Sequence, residues 1–400
     1  MYTYDEVMTY VKEEDVKFIR LAFCDINGKQ KNISIMPDEL HRAFTEGIAF
    51  DASAVNGFNA EVRSDLFLHP DPSTISILPW RPSTGRVIRM FCDIKYPDGS
   101  FFEKDGRFIL KKAVRTANDM GISCLFSSKF EFYLFKFDEN GEPTKIPFDN
   151  AGYMDIAPED KGENVRREIC LSLLDMGIYP ECSHHKEGPG QNEIDYRHSA
   201  ALTAAENATT FRMVVKTIAM RNGLYADFSP KPLEGKSGNG MHISISVNST
   251  QGVDYTDGFI AGIMEHISEI TAFLNPCENS YLRLGEKKAP KYISWSHENH
   301  SQLIRVPVSN SPSRRIEVRS PDPMANPFIA YSLLIYAGLD GIKRGLRLTG
   351  PVNTNLLFAD KSITEQLKTL PSSLSEAIKE AESSAFVRSV LPDMYIGLYK

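Results

Sequence analysis

The sequence predicts an α+β protein in two parts, with antiparallel strands and long helices rather than the regular alternation of a doubly wound parallel sheet. Three observations lead there. Short segments of alternating apolar and polar residues recur along the chain. Helical runs fall between them in irregular order. A turn-rich stretch, YPDGSFFEKDGR, separates a small first part from a larger second, so residues 1–100 and 101–400 are the expected domains.

In the first part, an amphipathic helix opens the chain and VKFIRLAFCDI follows as an alternating strand ending at the turn Asn27-Gly28. KNISIM and VIRMFCDI read as further strands. HPDPSTISILPWRPSTGR carries four prolines and is expected to be extended chain and turns. In the second part, RFILKKAVRTANDMG, APEDKGENVRREICLSLLDMG and AENATTFRMVVKTIAMRNG have helical spacing and each stops at a glycine suited to the left-handed cap. ANPFIAYSLLIYAGLDGIKRG is almost wholly apolar, the mark of a buried helix.

Composition narrows the function. The 400 residues carry a net charge of −7, with 42% hydrophobic and 24% charged residues. That is an ordinary globular balance, and its acidity argues against a nucleic-acid partner. No apolar run is long enough to span a bilayer, and the acidic start does not resemble a signal peptide. The six cysteines are scattered without a CxxC, as expected of reduced thiols in a cytoplasm.

Strand faces are the sharper signal. Lys129, Glu131 and Tyr133 share one face of SSKFEFYLF. Glu193, Asp195 and Arg197 share one face of NEIDYR, and His242, Ser244 and Ser246 one face of GMHISISV. Arg315, Glu317 and Arg319 do so in RRIEVRS. One such strand is a solvated surface; four together suit a concave polar sheet holding a charged small molecule or metal ions. GPGQNE and EGKSGNGMH lie beside these strands, where glycine lets backbone N–H groups approach an anion. GKS lacks the first glycine of a P-loop, because position 230 is Pro. Cys182, His184 and His185 read as packing residues rather than soft-metal ligands, since adjacent side chains on a strand point apart.

Six segments in register carry a family resemblance: FDASAVNGFNAEVRSDLFLHPDPST, HHKEGPGQNEIDYR, YADFSPKPLEGKSGNGMHIS, NSYLRL, NHSQLIRVP and RRIEVRSPDPMANPF. Together they resemble type I glutamine synthetase along nearly the whole chain. The resemblance implies an N-terminal β-grasp domain and a C-terminal catalytic domain with a curved antiparallel sheet. It also implies subunit rings with active sites between neighbours. The implied chemistry is ATP-dependent: the γ-carboxylate of glutamate is phosphorylated, and ammonia displaces the phosphate. Two Mg²⁺ or Mn²⁺ ions hold the phosphates.

Carried over residue by residue, one metal site comprises Glu131, position 186 and Glu193, and the other position 129, His242 and Glu317. Lysine occupies both 129 and 186, where the family carries glutamate, and Lys288 is nearest to the acidic flap position. A charged lysine donates only and ligates no metal. An ammonium is therefore expected where each metal would sit, Lys186 with Glu131 and Glu193 and Lys129 with Glu317, making two-metal binding unfavourable. His300 replaces a phosphate-contacting arginine, and Ser244 a second histidine. Arg283, Arg319, Gly238, His242 and Ser53 match substrate-binding positions, and Arg305, Arg315 and Ser246 nucleotide-contacting ones. Asp51 and Ser53 match residues lent to a neighbour's ammonium site, with Asp51, Lys129, Lys186 and Lys288 the catalytic candidates. The chain ends before the family's C-terminal extension, so a single ring is expected.

These features lead to an expectation: a glutamine synthetase fold that has lost two-metal, ATP-dependent amide synthesis and now binds or transforms a small glutamate-like carboxylate. Two alternatives stand beside it. One is an active carboxylate–amine ligase with reduced metal use; the other is a non-catalytic partner of a true synthetase. The expected partners are a small carboxylate and further copies of the chain, without nucleic acid or membrane.

Overall fold

The computed structural model describes residues 2–59, 63–307 and 314–397. Part of the quoted segment around Asp51 (residues 60–62) and the terminal Lys400 lie outside them. The N-terminal strands are β1 (Val16–Cys24), β2 (Gln30–Ile35), β3 (Ile48–Asp51), β4 (Asp65–Pro70), β5 (Ser76–Ile77) and β6 (Arg86–Lys95). They form one sheet in the order β2-β1-β6-β4-β3, with β5 also against β6. β1 and β6 run parallel, the other pairs antiparallel. Ile19, Leu21, Leu66, Leu68, Ile88 and Met90 are fully buried, and Val7 and Val11 of the helix Tyr4–Glu13 join their cluster. The alternation read in the sequence is the sheet's burial of one face.

The second sheet contains β7 (Ile122–Phe137), β8 (Pro143–Pro147), β9 (Pro180–His185), β10 (Gln191–Tyr196), β11 (Ser199–Ala200), β12 (Leu224–Asp227), β13 (Met241–Ser249), β14 (Trp295–His297), β15 (Ile304–Val306) and β16 (Arg315–Val318). Its order is β14-β15-β16-β13-β7-β10-β9, with β8, β11 and β12 also pairing with the long β7. Long, apolar-backed β7 thus serves as the spine. Phe126, Phe130, Phe132 and Leu134 of β7 are fully buried against the helix layer, with Phe130 stacked on Phe211 at 4.9 Å.

The helices Gly106–Asp119 and Ala201–Arg221 are followed by Gly121 and Gly223 at φ +69° and +71°, the left-handed cap conformation. Pro327–Lys343 is buried nearly all round, as its apolar sequence requires. It packs on a further helix, Thr256–Leu274. Glycine is needed at the crossing: a Cβ on Gly262 would stand 2.1 Å from the Ala337 carbonyl oxygen. No helix among the described residues is long and apolar enough to cross a membrane.

Candidate active site

Strand register assembles the polar face. Glu193 of β10 lies opposite Glu131 of β7, and His242 of β13 opposite Lys129 on the other side of β7. Ser244 faces Glu317, and Ser246 faces Arg315. Because these positions share the parity of the pleat, the four strands put carboxylates, cations and an imidazole on one surface. The surface is not solvated: Glu131, Glu193, Asp195, His242, Glu317 and Arg319 are all buried. Burial makes pairing obligatory for such groups.

Lys186 supplies the central pairing. Its backbone N–H donates to the Gln191 carbonyl at 2.7 Å, closing the turn from β9 to β10. Its Nζ lies 2.9 Å from Glu131 Oε1 and 3.0 Å from Glu193 Oε2. Burial alone would lower the lysine's pKa, but the two carboxylates outweigh it and hold the ammonium charged. The other Glu131 oxygen accepts the Gly240 N–H at 2.7 Å, and the other Glu193 oxygen faces His184 Nε2 at 3.2 Å. Glycine is required at 188, where a Cβ would meet the Tyr133 hydroxyl at 2.0 Å.

Lys129 departs from expectation. Its nearest carboxylate is Asp195, at 3.4 Å, not Glu317. The β7–β10 register, carried one residue past Ile194–Phe130, sets Asp195 across from Lys129. Glu317 is instead held by Arg319 and, at 3.4 Å, by Arg305. Burial would raise its pKa, but the Arg319, Lys129 and Arg305 charges keep it low. His242 is held neutral: burial first, then Arg319, keeps it well below its usual range. His198 and His300 are likewise each pushed to about 4 by burial and neighbouring cations.

Glu131, Lys186, Gly238, His242, Arg283 and Arg319 line one cleft, together with residues 286–289. Arg283 donates to the carbonyls of Ser320 at 2.8 Å and Arg319 at 3.1 Å, which fix its fork. Gly238 leaves no room for a side chain, since a Cβ would lie 2.5 Å from the Pro230 carbonyl oxygen and 2.9 Å from Arg283 Cγ. Lys288 stands at the rim, bound to Glu187 and 5.3 Å from the centre of the Tyr153 ring. Arg305 also donates to the Glu298 carbonyl at 3.1 Å. Asp51 and Ser53 are not brought to this cleft: they form an exposed turn at the end of edge strand β3, the Ser53 hydroxyl donating to Asp51 at 2.6 Å. Sequence reasoning gave no role to Glu187 and Tyr153 and named Asp195 only as a face residue. Only strand register could have singled Asp195 out.

Two sets of side chains among the described residues have donor atoms within 4.8 Å of one another: Glu131, Glu193 and His242, and Asp149, Asp160 and His185. The first suits a divalent cation in donor type, although the Lys186 ammonium already stands between its two carboxylates. The second is satisfied internally, Arg166 bridging Asp160 at 2.5 Å and His185 facing Asp149 at 2.9 Å. His184 and His185 do point apart, toward Glu193 and Asp149.

Residues 103–400 match the family description "Glutamine synthetase, catalytic domain", and residues 15–97 "Glutamine synthetase, beta-Grasp domain". The chain belongs to the glutamine synthetase family. A protein named Glutamine synthetase from Methanosarcina mazei is 43% identical, covering 99% of this chain and 92% of its own. One of the same name from Clostridium saccharobutylicum is 41% identical, covering 100% and 93%. The structure described as a GmaS/ADP complex superposes with a TM-score of 0.88 at 25% identity, covering 98% of this chain and 93% of that one. The Plasmodium falciparum glutamine synthetase does so at 0.86, with 23% identity and coverage of 100% and 94%, which bears on the fold alone.

Family membership corrects the functional expectation. Full-length relatives at 41–43% identity carry the name Glutamine synthetase, which favours a working ligase over a site that has lost the reaction. The physical reason is in the cleft: the lysines arrive paired, leaving its positive charge and buried arginines in place. The expectation against metal is corrected in part as well. The family uses ATP and divalent metals, and Glu131, Glu193 and His242 retain a metal-competent donor set.

Proposed function

We propose that this chain is an ATP-dependent carboxylate–amine ligase that converts glutamate to glutamine or another γ-glutamyl amide. The relation to synthetases over nearly its whole length carries this reading. The ADP in the related GmaS complex supports nucleotide use, and the buried Arg283 and Arg319 support an anionic substrate. A fixed guanidinium fork suits carboxylate capture. Lys129, Arg305 and Arg315 line the same sheet face with positive charge suited to phosphate. Were the Lys186 ammonium displaced, Glu131, Glu193 and His242 would hold a divalent cation, which would neutralise charge on the transferring phosphoryl group.

The amine must lose a proton before it attacks, and the loop at the cleft offers Lys288 where the family resemblance implies an acid. Asp51 is the remaining candidate acceptor. Hydrogen bonds from Ser53 hold its carboxyl below the usual range, so it is ionised and available. Since it stands outside its own cleft, we propose a homo-oligomeric ring in which Asp51 and Ser53 complete a neighbour's site. The six free thiols accord with a cytoplasmic setting.

The test is ADP release from ATP with Mg²⁺ or Mn²⁺, glutamate and either ammonium or a primary amine, with the product identified by mass spectrometry. ADP release that depends on both glutamate and an amine, with a γ-amide formed, is expected. No release above glutamate-free controls with any amine would overturn the proposal.

A further inference from the structure

We infer that Lys186 is a built-in cation: its ammonium occupies the position between Glu131 and Glu193 that a divalent ion would otherwise take. The inference rests on the ligase reading for its purpose but not for its test. Three observations carry it. Nζ sits 2.9 and 3.0 Å from the two carboxylates, ammonium–carboxylate hydrogen-bond distances. The lysine side chain is only 18% exposed, so the pair is shielded from screening. The carboxylates and His242 form the donor set that suits a divalent cation, so ammonium and metal compete for the same two carboxylates.

The surroundings fix the ammonium there. The Lys186 backbone is clamped in the β9–β10 turn, and the neighbouring His185 ring is tied to Asp149 at 2.9 Å. Nζ also lies 5.7 Å from the centre of the Tyr153 ring, whose face attracts a cation. Swinging the side chain out would leave Glu131 and Glu193 as buried carboxylates without a cation, which is strongly unfavourable. A divalent ion can enter only after that displacement. In the reaction a tethered monovalent cation balances charge without exchanging with solvent, so metal demand falls by the ion this position would hold.

The experiment counts Mn²⁺ bound per subunit in the nucleotide-free full-length protein, by calorimetry and by the loss of the free-Mn²⁺ paramagnetic signal. The comparison is wild type, Lys186→Glu and Lys186→Gln, with thermal melting to establish folding. Lys186→Glu is expected to bind one Mn²⁺ more than wild type, or the same ion roughly tenfold or more tightly. Lys186→Gln removes the competing charge without adding a carboxylate and should fall between them. Adding Glu193→Gln to Lys186→Glu should abolish the gain. Wild type that already binds Mn²⁺ as tightly as Lys186→Glu, with binding lost on Glu193→Gln, would overturn the inference. So would two folded Lys186 variants with unchanged binding. Neither outcome depends on turnover, so failure here is distinct from failure to release ADP.

Discussion

At the scale of single residues, the cleft is governed by which cation each buried carboxylate obtains. Arg319 is committed on two sides. Its side chain is 5% exposed; Nη1 holds Glu317 and Nε donates to the His300 carbonyl at 3.0 Å, and the residue lines the cleft. Arg319→Lys keeps the charge but loses the planar fork. Losing one or two charge-assisted bonds to substrate is worth about 1.5–3 kcal/mol each, so KM for glutamate should rise roughly 10–100-fold or more. Steady-state kinetics check it; an unchanged KM would remove Arg319 from carboxylate binding. Identities such as Arg283, Arg319 and Lys186 were legible in the sequence, as was the pairing of Lys186 with Glu131 and Glu193. The partner of Lys129 was not. Choosing between Asp195 and Glu317 depends on which strands flank β7, and alternation within a strand carries no information about its neighbours.

At the scale of elements, the sequence shows where helices stop better than what their caps cost. Asp105 caps the helix Gly106–Asp119: Oδ1 accepts the Arg107 N–H at 3.1 Å, while Oδ2 is buried without a partner. Burial pushes its carboxyl up to about 7. For an acid whose folded pKa is raised, the folded state holds the proton longer, so stability is lost as pH rises from about 4, the ordinary value, through about 7. Asparagine caps as well and does not ionise. Asp105→Asn should therefore raise stability at pH 8 by on the order of 1–3 kcal/mol and much less at pH 5. Denaturation curves at both values decide it: a gain equal at both would refute the titration argument. The packing of the helix Thr256–Leu274 was not legible in the sequence either. Its seat against Pro327–Lys343 depends on Gly262 meeting the Ala337 carbonyl, a close approach between segments far apart in sequence.

At the scale of the whole molecule, the two sheets are joined by a buried charge cluster. Arg107 reaches Asp71 at 2.6 Å and Asp93 from the N-terminal sheet's surroundings, and Glu206 at 2.8 Å from the helix Ala201–Arg221. That junction holds the exposed Asp51 turn in a fixed relation to the catalytic sheet of its own chain, away from its own cleft. A site completed by Asp51 therefore needs a second copy, and the proposed ring makes a prediction that no single-chain site makes. Asp51→Ala and Arg319→Ala should each be nearly inactive alone, one damaging the lent turn and the other the cleft. Mixed at equal amounts, dissociated and reassembled, the two should recover about a quarter of wild-type activity. That value follows because a random neighbour pair unites an intact cleft with an intact turn in about one arrangement of four under cyclic symmetry. Recovery at that level, lost when subunits are kept from exchanging, supports the shared site. No recovery from demonstrably mixed assemblies would place Asp51 outside the reaction and leave the amine's proton to a group within the cleft.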